Sequence, residues 1–261
     1  MKRLLGVFSF SMMVFIYLPM LILVIYSFNA ARINAVWSGF TFDWYRSLIG
    51  NRFVLEALAN SLTIAFSNMI ISTIVGTLTA YAFYKYKFRI DIVWKGLIYF
   101  PILIPELLMG LSLLILFSQV NIPLGKVTLL IAHITFSIPF VYMIVIMRLQ
   151  DMGRELEEAA QDLGASPWKT FMKITLPVIS SSIFASALLV FTLSLDDFII
   201  SFFVAGPNST TLPIYIYGMI KRGITPEINA LATLMIITTM VLVMIAELLR
   251  KRGSKNYTPF Y

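Results

Sequence analysis

Glu157-Glu158-Ala159-Ala160-Gln161-Asp162-Leu163-Gly164-Ala165-Ser166 is a hydrophilic stretch in a chain that is mostly apolar. It runs on through Pro167, Trp168, Lys169, Thr170 and Phe171 to Ile174-Thr175-Leu176-Pro177. Arg154 to Leu163 holds the helix formers Glu, Leu, Ala and Gln. Gly164 stands where a helix stops, free to take a left-handed conformation. Ser166 can then cap a second short helix with Pro167 at its first position. Pro177 is expected to close that helix, just ahead of a long apolar run. Two small helices with Ala and Gly at the bend make a compact knob suited to a groove on a partner. Apolar segments on both sides place the knob outside lipid and its neighbours within it.

Those neighbours set the class. The chain has 261 residues, 59% of them hydrophobic, with a mean hydropathy of +0.87. Soluble domains average about 45–50% apolar residues. Long, nearly uncharged runs indicate an all-α, polytopic membrane protein forming one transmembrane domain over 1–261. Six spans are expected, at about 4–28, 60–84, 94–118, 127–147, 178–204 and 230–249, with 149–177 as the hydrophilic loop. The first run is too long for the apolar part of a secretory signal and reads as a retained span. Between the first two spans, 29–59 is polar and aromatic and should hold short interfacial helices, with Trp44 and Tyr45 at headgroup level. The second span carries Ser61, Thr63, Ser67, Ser72, Thr73, Gly76, Thr77 and Thr79, small residues that let helices pack closely in lipid. Gly206 to Asn229 reads as a mixed outer loop.

Six spans leave both termini on one side. Lys2, Arg3, Lys85, Lys87, Arg89, Lys95, Arg148, Arg154, Lys169, Lys173, Arg250, Lys251, Arg252 and Lys255 fall on that side. Only Arg32, Arg46, Arg52, Lys126, Lys221 and Arg222 fall on the other. The imbalance puts the termini and the 149–177 loop in the cytoplasm. The net charge of +7 is therefore an orientation signal rather than a nucleic-acid surface. Cys is absent, which excludes disulfides and thiolate metal sites. His133 is the single histidine and cannot build a metal site by itself.

No phosphate-binding GxxxxGK[ST] loop occurs, nor HExxH, GxSxG or a dinucleotide fingerprint. A transport subunit fits better than an enzyme. An intramembrane aspartyl enzyme would need two facing carboxylates, such as Glu106 and one of Asp196 and Asp197. No cofactor is expected on this chain. ATP and Mg, if they drive transport, belong to a separate chain that the knob could dock.

Acids inside spans are costly, about 2.5–3.5 kcal/mol on insertion scales, and are functional candidates by default. Three stand out: Glu106, Asp196 and Asp197. Counted along straight helices at about 1.5 Å per residue, Glu106 falls near the bilayer midplane and Asp196 in its outer half or at its outer mouth. Asp197 shares a helical stripe with Ser194 and Ser201; one Asp can face a pathway while the other caps or pairs. A cationic substrate would balance acids that face no Lys or Arg, through pairing or aromatic faces. Phe198, Phe202 and Phe203 crowd the two Asp residues, and Tyr99, Phe100 and Tyr142 lie on other spans. His133, Thr135 and Ser137 read as interhelical hydrogen-bonding residues.

Glu158-Ala159-Ala160, then Gly164, then Ile174, Leu176 and Pro177 resemble the EAA loop of permease subunits in binding-protein-dependent ABC importers. Phe191-Thr192-Leu193-Ser194-Leu195-Asp196-Asp197-Phe198 and Phe203-Val204-Ala205-Gly206-Pro207 look like the permeases of spermidine/putrescine importers. So do Ser27-Phe28-Asn29, Asp162 to Ser166, and Pro226 to Thr233. The similarity covers essentially the whole chain. It implies a type I ABC importer permease fold in the cytoplasmic (inner) membrane. It also implies a second homologous permease, a dimeric cytoplasmic ABC ATPase and a periplasmic or surface substrate-binding protein as partners. Glu158, Ala159, Ala160, Gly164, Ala165 and Ser166 would then form the coupling segment that seats in the ATPase. Similar permeases carry ferric ion or other organic cations, so another solute on the same fold is one alternative. A stand-alone channel or secondary carrier is the other.

Overall fold

The computed structural model describes residues 2–31, 36–223 and 225–255, with side chains over 3–31, 36–223 and 225–245. Arg32 therefore lies outside the described residues, as do the extreme termini and the side chains of the basic tail. Twelve α-helices follow in order among the described residues. They are α1 (Lys2–Tyr26), α2 (Asp43–Gly50), α3 (Arg52–Lys85), α4 (Asp91–Leu103), α5 (Glu106–Gln119) and α6 (Lys126–Met152). Next come α7 (Glu155–Asp162), α8 (Pro167–Thr170), α9 (Leu176–Asp196), α10 (Ile199–Val204), α11 (Leu212–Arg222) and α12 (Pro226–Lys255). A π-helical turn, Phe171–Thr175, joins α8 to α9. The only β pairing among the described residues is an isolated bridge between Asn29 and Phe40.

Five helical stretches are long and apolar enough to cross a bilayer, and six if the bent pair α4–α5 counts as one. The sequence reading treats 94–118 as one straight span. The structure instead bends it by 107°. Pro105 has no N–H and biases Ile104 away from helical dihedrals, and Ile104 indeed takes ψ 134°. The reverse departure occurs at Pro177, which does not end a helix. Leu176 N–H donates to Phe171 O in a widened turn, and helix continues from Pro167 to Asp196. A wide turn accommodates a residue that cannot donate, so Pro177 sits in the first turn of α9. The expected outer loop at 206–229 contains α11.

The chain divides into two compact units. One comprises Met1–Leu58 and Leu212–Met240. Its core gathers Leu48, Val54, Ala57, Leu212, Ala230 and Leu231. Trp44 and Tyr45, read as headgroup residues, are tied into it: Trp44 Nε1 donates to Asn29 O at 2.8 Å, and the Tyr45 hydroxyl lies 2.6 Å from Ser27 Oγ. Most apolar side chains of α1 are exposed, as suits a helix in lipid.

The other unit comprises Ala59–Thr211 and Val241–Tyr261. Here α6 is the central rod, packed against α4, α9 and α10. Val141, Tyr142, Val145 and Leu149 of α6 bury against Ala80 of α3 and Ile179 and Val190 of α9. Gly76 lets α3 approach: a Cβ there would stand 2.6 Å from Val141 Cβ. Asn68, fully buried on α3, donates to Ser137 Oγ at 2.9 Å and to Val190 O at 3.2 Å. A buried amide of this kind holds only while its partners are in place, so it fixes the register of three helices.

Candidate substrate cavity and coupling surface

Two helix breaks meet at one cavity. The first lies between α4 and α5, where Pro105 precedes Glu106 in the first turn of α5. The second lies between α9 and α10, where Asp197 is extended at φ −65° and ψ 121°. The cavity has a volume of about 340 Å³ and is lined by Glu106, Phe136, Thr192, Leu193, Asp196, Asp197, Phe198 and Ile199. Every charged residue in that lining is acidic. The 107° bend falls just before Glu106, and Glu106 and Asp196 reach the same space.

The two Asp residues differ. Asp196 is exposed at the end of α9. Asp197 has a side chain only 8% exposed. Its carboxylate accepts from Ser201 N at 2.8 Å and from Ile200 N at 3.3 Å, which caps α10. It also lies 3.4 Å from His133 Nε2. No Lys or Arg lines the cavity, and the neighbour of Asp197 is a histidine. His133 additionally meets Ser194 Oγ at 2.6 Å and Ser201 Oγ at 2.9 Å. It is thus an interhelical hydrogen-bonding residue, as is Ser137. Thr135 is not, since its hydroxyl donates to Ile131 O of its own helix at 2.8 Å. Free hydroxyls on helices often turn back on the preceding turn.

Of the aromatic candidates, Phe198 lines the cavity, and Phe136, which the sequence did not single out, joins it. Tyr142 is buried in the α6 core with Tyr99 edge-on at 5.7 Å. Phe100 is exposed. Phe203 packs into the core around Ile200 and Val204.

The knob forms as a helix, a left-handed glycine and a second helix. Gly164 has φ +83°. Its N–H donates to Gln161 O at 2.8 Å, and Ala165 N–H to Ala160 O at 3.0 Å, closing the end of α7. Ser166 Oγ accepts from Lys169 N at 3.4 Å. Glu158, Ala159, Gly164 and Ser166 are exposed, while Ala160 and Ala165 are half-buried. Leu163 is 90% and Trp168 69% exposed. The anchor of the knob is Glu157, which the sequence reading passed over. It is 2% exposed and pairs with Lys85 Nζ at 2.7 Å and Thr175 Oγ1 at 2.6 Å. Arg154 donates to Tyr84 O at 2.9 Å, and the Tyr84 hydroxyl donates to Gly153 O.

Residues 72–255 match the family described as the binding-protein-dependent transport system inner membrane component. The chain belongs to that family. Among such permeases it is 40% identical over 253 residues to the spermidine/putrescine transport system permease protein PotC of Escherichia coli (strain K12), covering 97% of this chain and 96% of that one. It is 40% identical over 249 residues to the putrescine transport system permease protein PotI of the same strain, covering 93% and 89%. A PotC homolog of Mycoplasma pneumoniae (strain ATCC 29342 / M129 / Subtype 1) is 30% identical over 259 residues, covering 93% and 89%. The fold is that of ABC importer permeases. It superposes with a TM-score of 0.70, at 17% identity, on a chain of a bacterial ABC transporter involved in alginate import, covering 98% of this chain and 96% of that one. A chain of the MetNI methionine ABC transporter gives 0.64 at 16% identity, covering 82% and 99%.

Proposed function

We propose that this permease is a subunit of an ATP-driven ABC importer that translocates the polyamines spermidine and putrescine across the cytoplasmic membrane. The observation that carries the substrate class is the cavity at the two helix breaks. Glu106, Asp196 and Asp197 supply its charge, and Phe136 and Phe198 supply aromatic walls. Acids in an apolar surround attract a cation, and aromatic faces suit ammonium groups joined by methylene chains. The names of the relatives support the same class.

The termini and the 149–177 loop face the cytoplasm in this reading. Glu158, Ala159, Ala160, Gly164, Ala165 and Ser166, with Leu163 and Trp168, meet one subunit of a dimeric ABC ATPase. ATP and Mg are bound there and not on this chain. A second homologous permease completes the pathway, and a periplasmic or surface binding protein delivers the solute. ATP-driven closure of the ATPase pushes the knob, and the knob moves the helices that carry the cavity.

Uptake of labelled spermidine by cells lacking their own polyamine importers, and expressing this chain with its companion subunits, tests the reading. ATP-dependent uptake that unlabelled putrescine or spermidine competes away is expected. Competition by ferric ion or an unrelated organic cation, with none by polyamines, would overturn the substrate class. Failure of an ATPase subunit to co-purify would overturn the importer assignment.

A further inference from the structure

His133 is the single histidine of the chain and is 2% exposed. Its two ring nitrogens reach opposite sides of the α9–α10 break. Nδ1 meets Ser194 Oγ of α9 at 2.6 Å. Nε2 meets Ser201 Oγ of α10 at 2.9 Å and lies 3.4 Å from Asp197 Oδ2 within the break. A second grip from the same rod holds the far end of α10, where Thr128 Oγ1 donates to Val204 O at 2.8 Å. So α6 holds this short helix at both ends.

The first helix of the cavity wall is tied to the same piece. α5 packs on α10 so closely that a Cβ at Gly110 would stand 2.9 Å from Phe203 Cδ2 and 3.3 Å from Ile200 Cα. Glu106 lies one turn before Gly110 on α5. Asp197 stands just before α10 and Glu106 at the start of α5, and the imidazole fixes the first of these relative to α9. An interrupted helix has no backbone ladder across its gap, so side chains that bridge the gap help to fix the spacing of its two ends. Here His133 is one side chain that spans the gap.

We propose that His133 is a positioning residue for transport: it clamps α9 to α10 across their break and so sets the spacing of the carboxylates at the cavity. It does not touch the solute. The inference rests on reading that cavity as the cation path. Losing the clamp lets α10, with α5 riding on it, shift against α9. The acids then present the wrong spacing, and ATP is spent without passage of the cation.

The chain lacks Cys, so spin labels attach only where Cys is introduced. Leu108→Cys on α5 and Leu189→Cys on α9 are exposed sites for a distance measurement in the reconstituted complex of this chain, its companion permease, the ATPase and the binding protein. The same vesicles report spermidine moved per ATP hydrolysed. His133→Phe keeps a ring without polar atoms. It should broaden the α5–α9 distance distribution and lower spermidine moved per ATP severalfold. His133→Gln, which can place an amide near Nε2, should restore most of both; His133→Asn, which reaches only toward Nδ1, should restore little. A wild-type distance distribution and ratio in His133→Phe, or equal rescue by Asn and Gln, overturns the clamp. If His133→Phe does not assemble, Ser201→Ala removes only the α10 contact and decides by the same two readings. The distance distribution needs no solute, so wild-type vesicles that fail to move spermidine would overturn the polyamine reading while the clamp still stands or falls on the spin labels.

Discussion

Lys85 Nζ lies 2.7 Å from Glu157 Oε2, which joins the last residue of α3 to the first turn of α7. The other oxygen of the same carboxylate accepts from Thr175 Oγ1 at 2.6 Å, in the π-helical turn. One buried acid thus ties three separate parts of the chain and fixes how the knob stands on the bundle. A buried charge that loses its partner is costly, about 3–5 kcal/mol. Lys85 is 28% exposed, which favours the lower figure. Lys85→Met should destabilise the protein by about 3 kcal/mol and weaken ATPase co-purification. Lys85→Met combined with Glu157→Gln should recover most of the loss. A double-mutant cycle of thermal unfolding in detergent measures both, and strictly additive effects would remove the anchor role.

Gly164 is a matter of backbone rather than of space. Its φ of +83° lies in the left-handed region, and a Cβ there would meet nothing within 4 Å. Gly164→Val should cost about 1–2 kcal/mol locally and misdirect α8. Gly164→Asn, which tolerates that conformation, should keep more uptake than Gly164→Val. Gly164→Asp adds a charge to the exposed face and should abolish uptake through loss of the ATPase. Normal uptake in Gly164→Asp would end the docking assignment.

The cavity acids should separate by readout. Asp196→Asn should cut spermidine uptake with assembly and stability unchanged. Asp197→Asn should cut uptake, and Asp197→Ala should in addition cost about 1 kcal/mol, because Asp197 caps α10. Glu106→Gln should resemble Asp196→Asn. Uptake assayed at matched protein levels, with thermal unfolding alongside, distinguishes them. Unchanged uptake in all three would clear the cavity of a transport role.

Gly76 should tolerate no side chain larger than hydrogen. A Cβ would stand 2.6 Å from Val141 Cβ and 3.2 Å from Ile138 O, so backbone as well as side chain must yield. Gly76→Val should cost about 1–3 kcal/mol or more by overpacking, with partial rescue by Val141→Ala. Melting temperatures of the purified variants check this. A neutral Gly76→Val would mean that α3 and α6 pack less closely than 2.6 Å implies.

Much of the architecture is legible without coordinates because lipid imposes its own grammar. Spanning segments must be helical and apolar, so their existence follows from runs such as 127–147. The knob is equally legible, since Gly164, Ser166 and Pro167 each act on their own immediate neighbours. The three acids are conspicuous from residue type alone, because charge in an apolar run is expensive.

What the amino-acid order determined by itself is therefore local: helices, caps, the left-handed turn at Gly164 and the presence of costly charge. Tertiary structure alone decided which distant residues meet. It brought Glu106 and Asp196 to one cavity, set His133 across the α9–α10 break and buried Glu157 against Lys85. Such pairings depend on the packing of several helices at once, and no periodicity along one helix encodes the rotation or approach of another.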